Sequence, residues 1–184
     1  MITAEEIKSS LEACTDFPVM TDLIGKLEHL RASRIPFFLT REEFEKILKW
    51  KLRGQYDRIR DRLVVNSEEV THTITEASFK IMTANIDENY KLELCIKILS
   101  ALRAVDIGVA SAVLGLVSPN EYCAIDFRVW RQVFPYKRKT WFSIADYEKY
   151  LCAARNYSKT LKRSVQEIDL GIWHFDRTSC RLPC

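Results

Sequence analysis

Residues 89–134 read NYKLELCIKILSALRAVDIGVASAVLGLVSPNEYCAIDFRVWRQVF, and the order of signals in this stretch decides the fold. A helical pattern covers about 89–103, a break falls at Ala104-Val105-Asp106-Ile107-Gly108, a helix of small residues covers 109–117, and Ser118-Pro119-Asn120 makes a turn. Tyr122-Cys123-Ala124-Ile125 then leads into Asp126, a lone carboxylate that opens the amphipathic stretch Phe127-Arg128-Val129-Trp130. The unit is helix, hairpin, helix, turn, and a helix begun by aspartate.

Outward from this unit the chain reads as helix almost throughout. Thr3 with Glu6, Thr40 with Glu43 and Ser143 with Asp146 have capping-box spacing, in which a hydroxyl and a carboxylate three residues apart satisfy each other's backbone N–H groups. Within 67–83, Val70, Ile74, Ala77 and Ile81 recur at helical spacing and predict one apolar face, with Glu68, Glu69, Thr73 and Glu76 on the other. Helices are expected at about 3–14, 19–32, 41–52, 55–63, 67–83, 89–103, 109–117, 126–134, 144–161 and 165–175. Strand-like alternation is scarce. The expected fold class is all-α, an orthogonal multi-helix bundle forming a single helical domain over 1–184, in two closely packed lobes.

Composition permits this and excludes several alternatives. The 184 residues, 47% hydrophobic, suffice for a sizeable core, and with five glycines and five prolines the chain has no linker-like or low-complexity stretch. The net charge of +3 is too small to indicate a polyanionic partner, so clustered charge has to carry that argument. The first residues lack a basic region followed by an apolar run, and no segment approaches the roughly 20 apolar residues of a bilayer span; a cytoplasmic protein without membrane contact is expected. Cys14, Cys95, Cys123, Cys152, Cys180 and Cys184 show no CxxC spacing and are expected as free thiols. His29, His72 and His174 are far apart, so no metal site is expected. Phosphate-binding, dinucleotide and nucleophile-elbow motifs are absent, and no small-molecule cofactor is expected.

The 92–134 stretch resembles the core of the helix-hairpin-helix DNA glycosylase superfamily, the group that includes endonuclease III and 8-oxoguanine glycosylase. Ala124-Ile125-Asp126-Phe127-Arg128-Val129 looks like that family's V-D-x-H-V segment, which carries the catalytic aspartate. Val105-Asp106-Ile107-Gly108-Val109-Ala110 looks like a worn form of its phosphate-binding hairpin, L-P-G-V-G-x-K-x-A. Of the hairpin glycines only Gly108 is represented, at the position where bifunctional members place a lysine; Ala104 and Asp106 stand where two earlier glycines would be. The resemblance implies a DNA-binding protein whose partner is duplex DNA, damaged or intact. It also implies Asp126 as catalytic carboxylate, backbone phosphate binding at Gly108 and Val109, and, without the lysine, monofunctional base excision. Members with an iron–sulfur cluster use four closely spaced C-terminal cysteines; here only Cys180 and Cys184 are close, so no cluster is expected.

Each of these residues also has a plainer role. Asp126 can be an N-cap, accepting backbone N–H bonds for about 1 kcal/mol; a cap and a catalyst are compatible. The carboxylate of Asp106 either faces the phosphate or caps its own helix. Arg128, in the first helical turn, is either a solvated or Glu-paired surface arginine or, since a cation there opposes the helix dipole and suggests another reason for its presence, a clamp for a phosphate. The segment from Lys49 to Arg62 carries six cations against two carboxylates. Lys51, Arg53, Arg58 and Arg60 there can contact a phosphate backbone, and Gln55 and Tyr56 beside Gly54 can contact or wedge into a duplex, or the segment is the solvated side of a helix pair. Lys137, Arg138 and Lys139, followed by Trp141, form a second cluster suited to phosphates. The alternative function is a helical module that binds DNA without excising a base, or that binds another protein.

Overall fold

The computed structural model describes residues 1–179. They form ten α-helices and no strand: α1 Ala4–Glu12, α2 Phe17–Ser33, α3 Arg41–Leu52, α4 Tyr56–Leu63, α5 Glu68–Met82, α6 Glu88–Leu99, α7 Ile107–Val117, α8 Phe127–Val133, α9 Ile144–Leu161 and α10 Val165–Ser179, with a short 3-10 turn, Arg53–Gln55, joining α3 to α4. The fold is all-α, as the periodicities indicate. Thr3, Thr40 and Ser143 each make the full reciprocal capping box that opens α1, α3 and α9, each worth about 1 kcal/mol. Among the described residues no helix is long and apolar enough to cross a membrane.

Two boundaries moved, one through a contact remote in sequence and one through a local cap. Helix α6 stops at Leu99, about four residues before its periodicity fades. The buried Asn66 side chain donates from Nδ2 to Arg103 O at 3.0 Å and accepts from Arg103 N at 2.8 Å, holding the chain in a turn there. Ala104 completes the turn with a positive φ of 62°, costly for a residue with a Cβ. Helix α7 starts two residues early, at Ile107, because Asp106 caps it: Oδ1 accepts from Val109 N at 2.9 Å.

The face expected of α5 holds for Ile74 and Ile81, which pack against the core, and fails for Val70 and Ala77. Val70 is 44% exposed, Ala77 is exposed, and the buried residues are Thr71, Thr75, Ser78, Phe79 and Met82. Two of the small hydroxyl side chains, Thr75 and Ser78, face inward and serve backbone groups of their neighbours. Thr75 Oγ1 accepts from Leu39 N and donates back to Thr71 O, and Ser78 Oγ donates to Cys95 O on α6. Periodicity counted from apolar residues alone misses such a face.

The helices pack in two groups. Helices α1, α8 and α9 surround α10, while α2 to α6 form the other group, and α7 contacts α2, α3, α6 and α10. Helix α7 is buried at every position from Val109 to Val117, so it is the core element shared by both groups. A Cβ on Gly115 would lie 2.9 Å from Cys123 Cα and would collide with the Gln166 carboxamide; glycine lets α7 touch the segment leading to Asp126. Gly115→Ala is expected to lower unfolding free energy by about 1–3 kcal/mol through overpacking, measured by urea denaturation. An unchanged midpoint would show that the segment can shift without cost.

Candidate functional site

Residues 123–125 are buried and extended, outside any helix, so their backbone polar groups need partners from elsewhere. Side chains of four helices supply them. Tyr147 Oη of α9 donates to Cys123 O at 2.8 Å, Gln166 Oε1 of α10 accepts from Ala124 N at 3.1 Å, Ser111 Oγ of α7 accepts from Ile125 N at 3.0 Å, and Lys51 Nζ of α3 donates to Ile125 O at 3.1 Å. Asp126 is thereby delivered to the start of α8. Its Oδ1 caps the helix, accepting from Arg128 N at 2.8 Å and Val129 N at 3.1 Å, and its Oδ2 faces Lys51 Nζ at 3.7 Å. The side chain remains 25% exposed.

That exposed edge opens into a cleft of about 620 Å³. One wall is the end of α3, the 3-10 turn and α4, with Lys51, Arg53, Gln55 and Arg58; a second is the 106–109 start of α7. Residues 125–128 form its floor, with Thr140, Trp141, Phe142 and Trp173 around the remainder. Gly108 is favoured by proximity and not by its dihedral angles: a Cβ there would approach Ile125 O and Asp106 Oδ1 to 3.3 Å each, so that a neighbour would have to give by a few tenths of an ångström. The hairpin, the Asp126 segment and part of the basic stretch, widely separated in sequence, thus face one concavity.

Other expected site residues lie differently. The Val109 N–H is bonded to Asp106 Oδ1 and Val109 is buried, so that amide is not presented to a phosphate. Arg128 turns toward α10, where its guanidinium donates to the fully buried Asp176 at 3.1 Å alongside Arg131 and Gln132; its principal contact braces α8 on α10. Tyr56 is 6% exposed with Lys49 over its ring, and cannot act as a wedge. Arg60 lies in a neighbouring groove with Arg41, Lys49 and Arg53. Lys137 and Arg138 are exposed beside the cleft. Lys139 instead bonds both oxygens of Asp146 at 2.6 Å; against the burial that would raise it, this contact and the bonds from Ser143 hold the Asp146 carboxyl at about 2. Arg53 has φ 50°, a conformation suited to glycine, and its guanidinium lies 4.1 Å over Trp173 while reaching Asp16 at 3.1 Å.

The cysteines Cys14, Cys95 and Cys123 are buried free thiols and Cys152 is exposed and free; Cys180 and Cys184 lie outside the described residues. Burial pushes the Cys123 thiol well up, which leaves it unsuited to nucleophilic work. Among the described residues no cluster of histidine, cysteine and carboxylate side chains could hold a metal ion.

Two partners were not apparent in the sequence. Lys51, expected only as a phosphate contact, is the cation beside Asp126, brought there by α3. Asp169 is a second carboxyl group behind it, 5% exposed, accepting from Tyr150 Oη at 2.7 Å and from Gln166 Nε2 at 3.2 Å. Burial pushes the Asp169 carboxyl up to about 7, with Asp126 adding to the rise while Lys51 and the Tyr150 hydroxyl oppose it. Comparison of the chain with family models, with curated proteins and with solved structures finds no match, so the resemblance to glycosylases rests on the 92–134 stretch.

The buried Asp169 makes stability depend on pH in a definite sense. Its folded value, about 7, lies above the roughly 3.9 of a solvated aspartate. Its stabilising contribution is therefore full below about pH 4 and is lost as pH rises to about 7. Across that window the melting temperature of wild type is expected to fall relative to that of Asp169→Asn, with the difference levelling off above it. Circular-dichroism melts of both proteins check this; a difference constant with pH would contradict it.

Proposed function

We propose that the chain has a helix-hairpin-helix glycosylase arrangement, that its cleft binds DNA, and that Asp126 is the carboxylate for monofunctional excision of a base. One observation carries this reading: Asp126, the 106–109 turn and the cations Lys51, Arg53 and Arg58 border the same cleft. Its volume of about 620 Å³ is in the range of small-ligand sites, about 300–1,000 Å³, and leaves room for an extruded base with its sugar.

The chemistry follows from how Asp126 is held. Base release builds positive charge on the sugar, and a carboxylate fixed beforehand by two backbone N–H bonds can stabilise that charge without reorganising. Alternatively it takes a proton from the attacking water as the carbon–nitrogen bond breaks. Oδ1 is committed to the cap, so Oδ2 is the working oxygen, oriented by Lys51. Lys51 in turn is committed to Asp126 and to Ile125 O, which disfavours its attack on the sugar and supports the monofunctional class.

A second reading, DNA binding without excision, is favoured by Asp106. Its carboxylate occupies the amide end of α7 where a phosphate would sit, so the family's hairpin contact is weakened. Asp126→Asn separates the two readings. Asparagine caps about as well as aspartate, so melting and DNA affinity are expected to be unchanged, while single-turnover excision from a panel of damaged duplexes falls by about a hundredfold or more. Equal excision by both proteins removes Asp126 from the mechanism. DNA binding with no excision by either establishes the binding module.

DNA binding itself has an electrostatic signature. The logarithm of affinity is expected to fall linearly with the logarithm of salt, with a slope of about −0.9 per phosphate neutralised. Arg58→Ala and Arg60→Ala, both at exposed positions, should each flatten it by about one phosphate equivalent. Absence of binding to duplex, mismatched or abasic DNA at low salt would rule out a duplex DNA partner.

A further inference from the structure

Residues 135–142 form a tongue between α8 and α9, anchored through its backbone and through two of its side chains. Trp130 Nε1 donates to Lys137 O at 2.6 Å, Lys137 N donates to Phe134 O at 3.0 Å, Lys139 is tied to Asp146, and the Phe142 ring packs 5.5 Å from that of Trp130. Yet Tyr136 is 98% exposed and Trp141 84%, the most exposed aromatic side chains among the described residues. An indole has a large apolar surface and is normally at least half covered. Here its backbone support is ordered while the ring is left uncovered.

Trp141 also lines the cleft that contains Asp126 and Arg58, and the exposed Lys137 and Arg138 lie on the same tongue. An aromatic face among cations in a concavity is the combination that binds single strands: the ring stacks on a base and the cations hold the adjoining phosphates. A paired base in a duplex has both faces covered by its neighbours and offers no face to a side chain. An interfacial membrane anchor also combines tryptophan with lysine and arginine. That use requires a protruding apolar face, whereas Trp141 lines the wall of a concave cleft.

We propose that Trp141 is the stacking platform of a single-stranded nucleic-acid site, with an unpaired base on its indole face and the neighbouring phosphates held by Arg58 and Arg138. The inference rests on the reading that the cleft takes DNA and adds the class of strand. Wild type should bind an oligothymidylate of about 12 nucleotides, labelled for anisotropy, more tightly than a perfect blunt duplex of equal length, and its tryptophan emission should be quenched. Trp141→Ala should weaken binding to the single strand by about tenfold, as expected for loss of one stacked base. Trp141→Phe should keep most of the affinity while losing most of the quenching. Melting temperatures of both variants should match wild type because the ring is exposed.

If Trp141→Ala binds the single strand as tightly as wild type, the platform is refuted while DNA binding in the cleft stands. If wild type binds no nucleic acid at all, both readings fall. If the emission responds to phosphatidylserine vesicles and not to the oligonucleotide, the ring belongs to a membrane surface and the proposal is overturned.

Discussion

The segment Cys123-Ala124-Ile125 is buried without belonging to a helix, and its backbone polar groups must be bonded by side chains. An unpaired buried backbone group costs about 1–3 kcal/mol, which is a large part of a typical domain's net stability. Tyr147, Gln166, Ser111 and Lys51 meet this demand from four different helices. The position of Asp126 is therefore a property of the whole packing arrangement. A shift of α3, α7, α9 or α10 would break one of these bonds and move the carboxylate with it.

Close approach makes the bonding possible. Gly115 brings α7 against Cys123, and Gly108 brings the start of α7 against Ile125 O. Ser111, between them on the same helix, donates to Gly108 O and accepts from Ile125 N. A small-residue helix that looks like featureless core in the sequence is thus the template on which the site is laid. Lys51 acts on both sides of that template, bonding the backbone at Ile125 and facing the carboxylate at Asp126. Asp169, Tyr150 and Gln166 form a second layer of polar contacts behind it.

What could be read from the sequence was local. Thr3, Thr40 and Ser143 act within one helical turn, so their boxes were visible, as was the Asp126 cap, because the partners lie three residues away or fewer. The end of α6 was misread because Asn66, 37 residues earlier, holds the turn. The face of α5 was misread in part because Thr75 and Ser78 are buried with their hydroxyls bonded to backbone groups, a reason invisible to apolar periodicity. Lys51 lies 74 residues before Ile125, and its place beside Asp126 follows from helix packing with no pattern of spacing to announce it. Tyr56, Arg128 and Lys139 were assigned to a DNA face from charge and residue type, but burial or an ion pair with Asp176 or Asp146 occupies them.

The packing of α1 and α8 on α10 has a bearing on the order of assembly during synthesis. Gly171 of α10 admits the backbone of Ile7, and Ile2 bonds Gln132 of α8 and Tyr157 of α9, so α1 is completed by elements made much later in the chain. Gln166 and Asp176, which support Ala124 and Arg128, are synthesised about 40 residues or more after them. A nascent chain lacking α10 would expose the faces of α1 and α8 and leave Ala124 N without its partner. The cleft consequently cannot be complete before α10 has been made and docked, and no chain shorter than that can hold Asp126 with all of its supports in place.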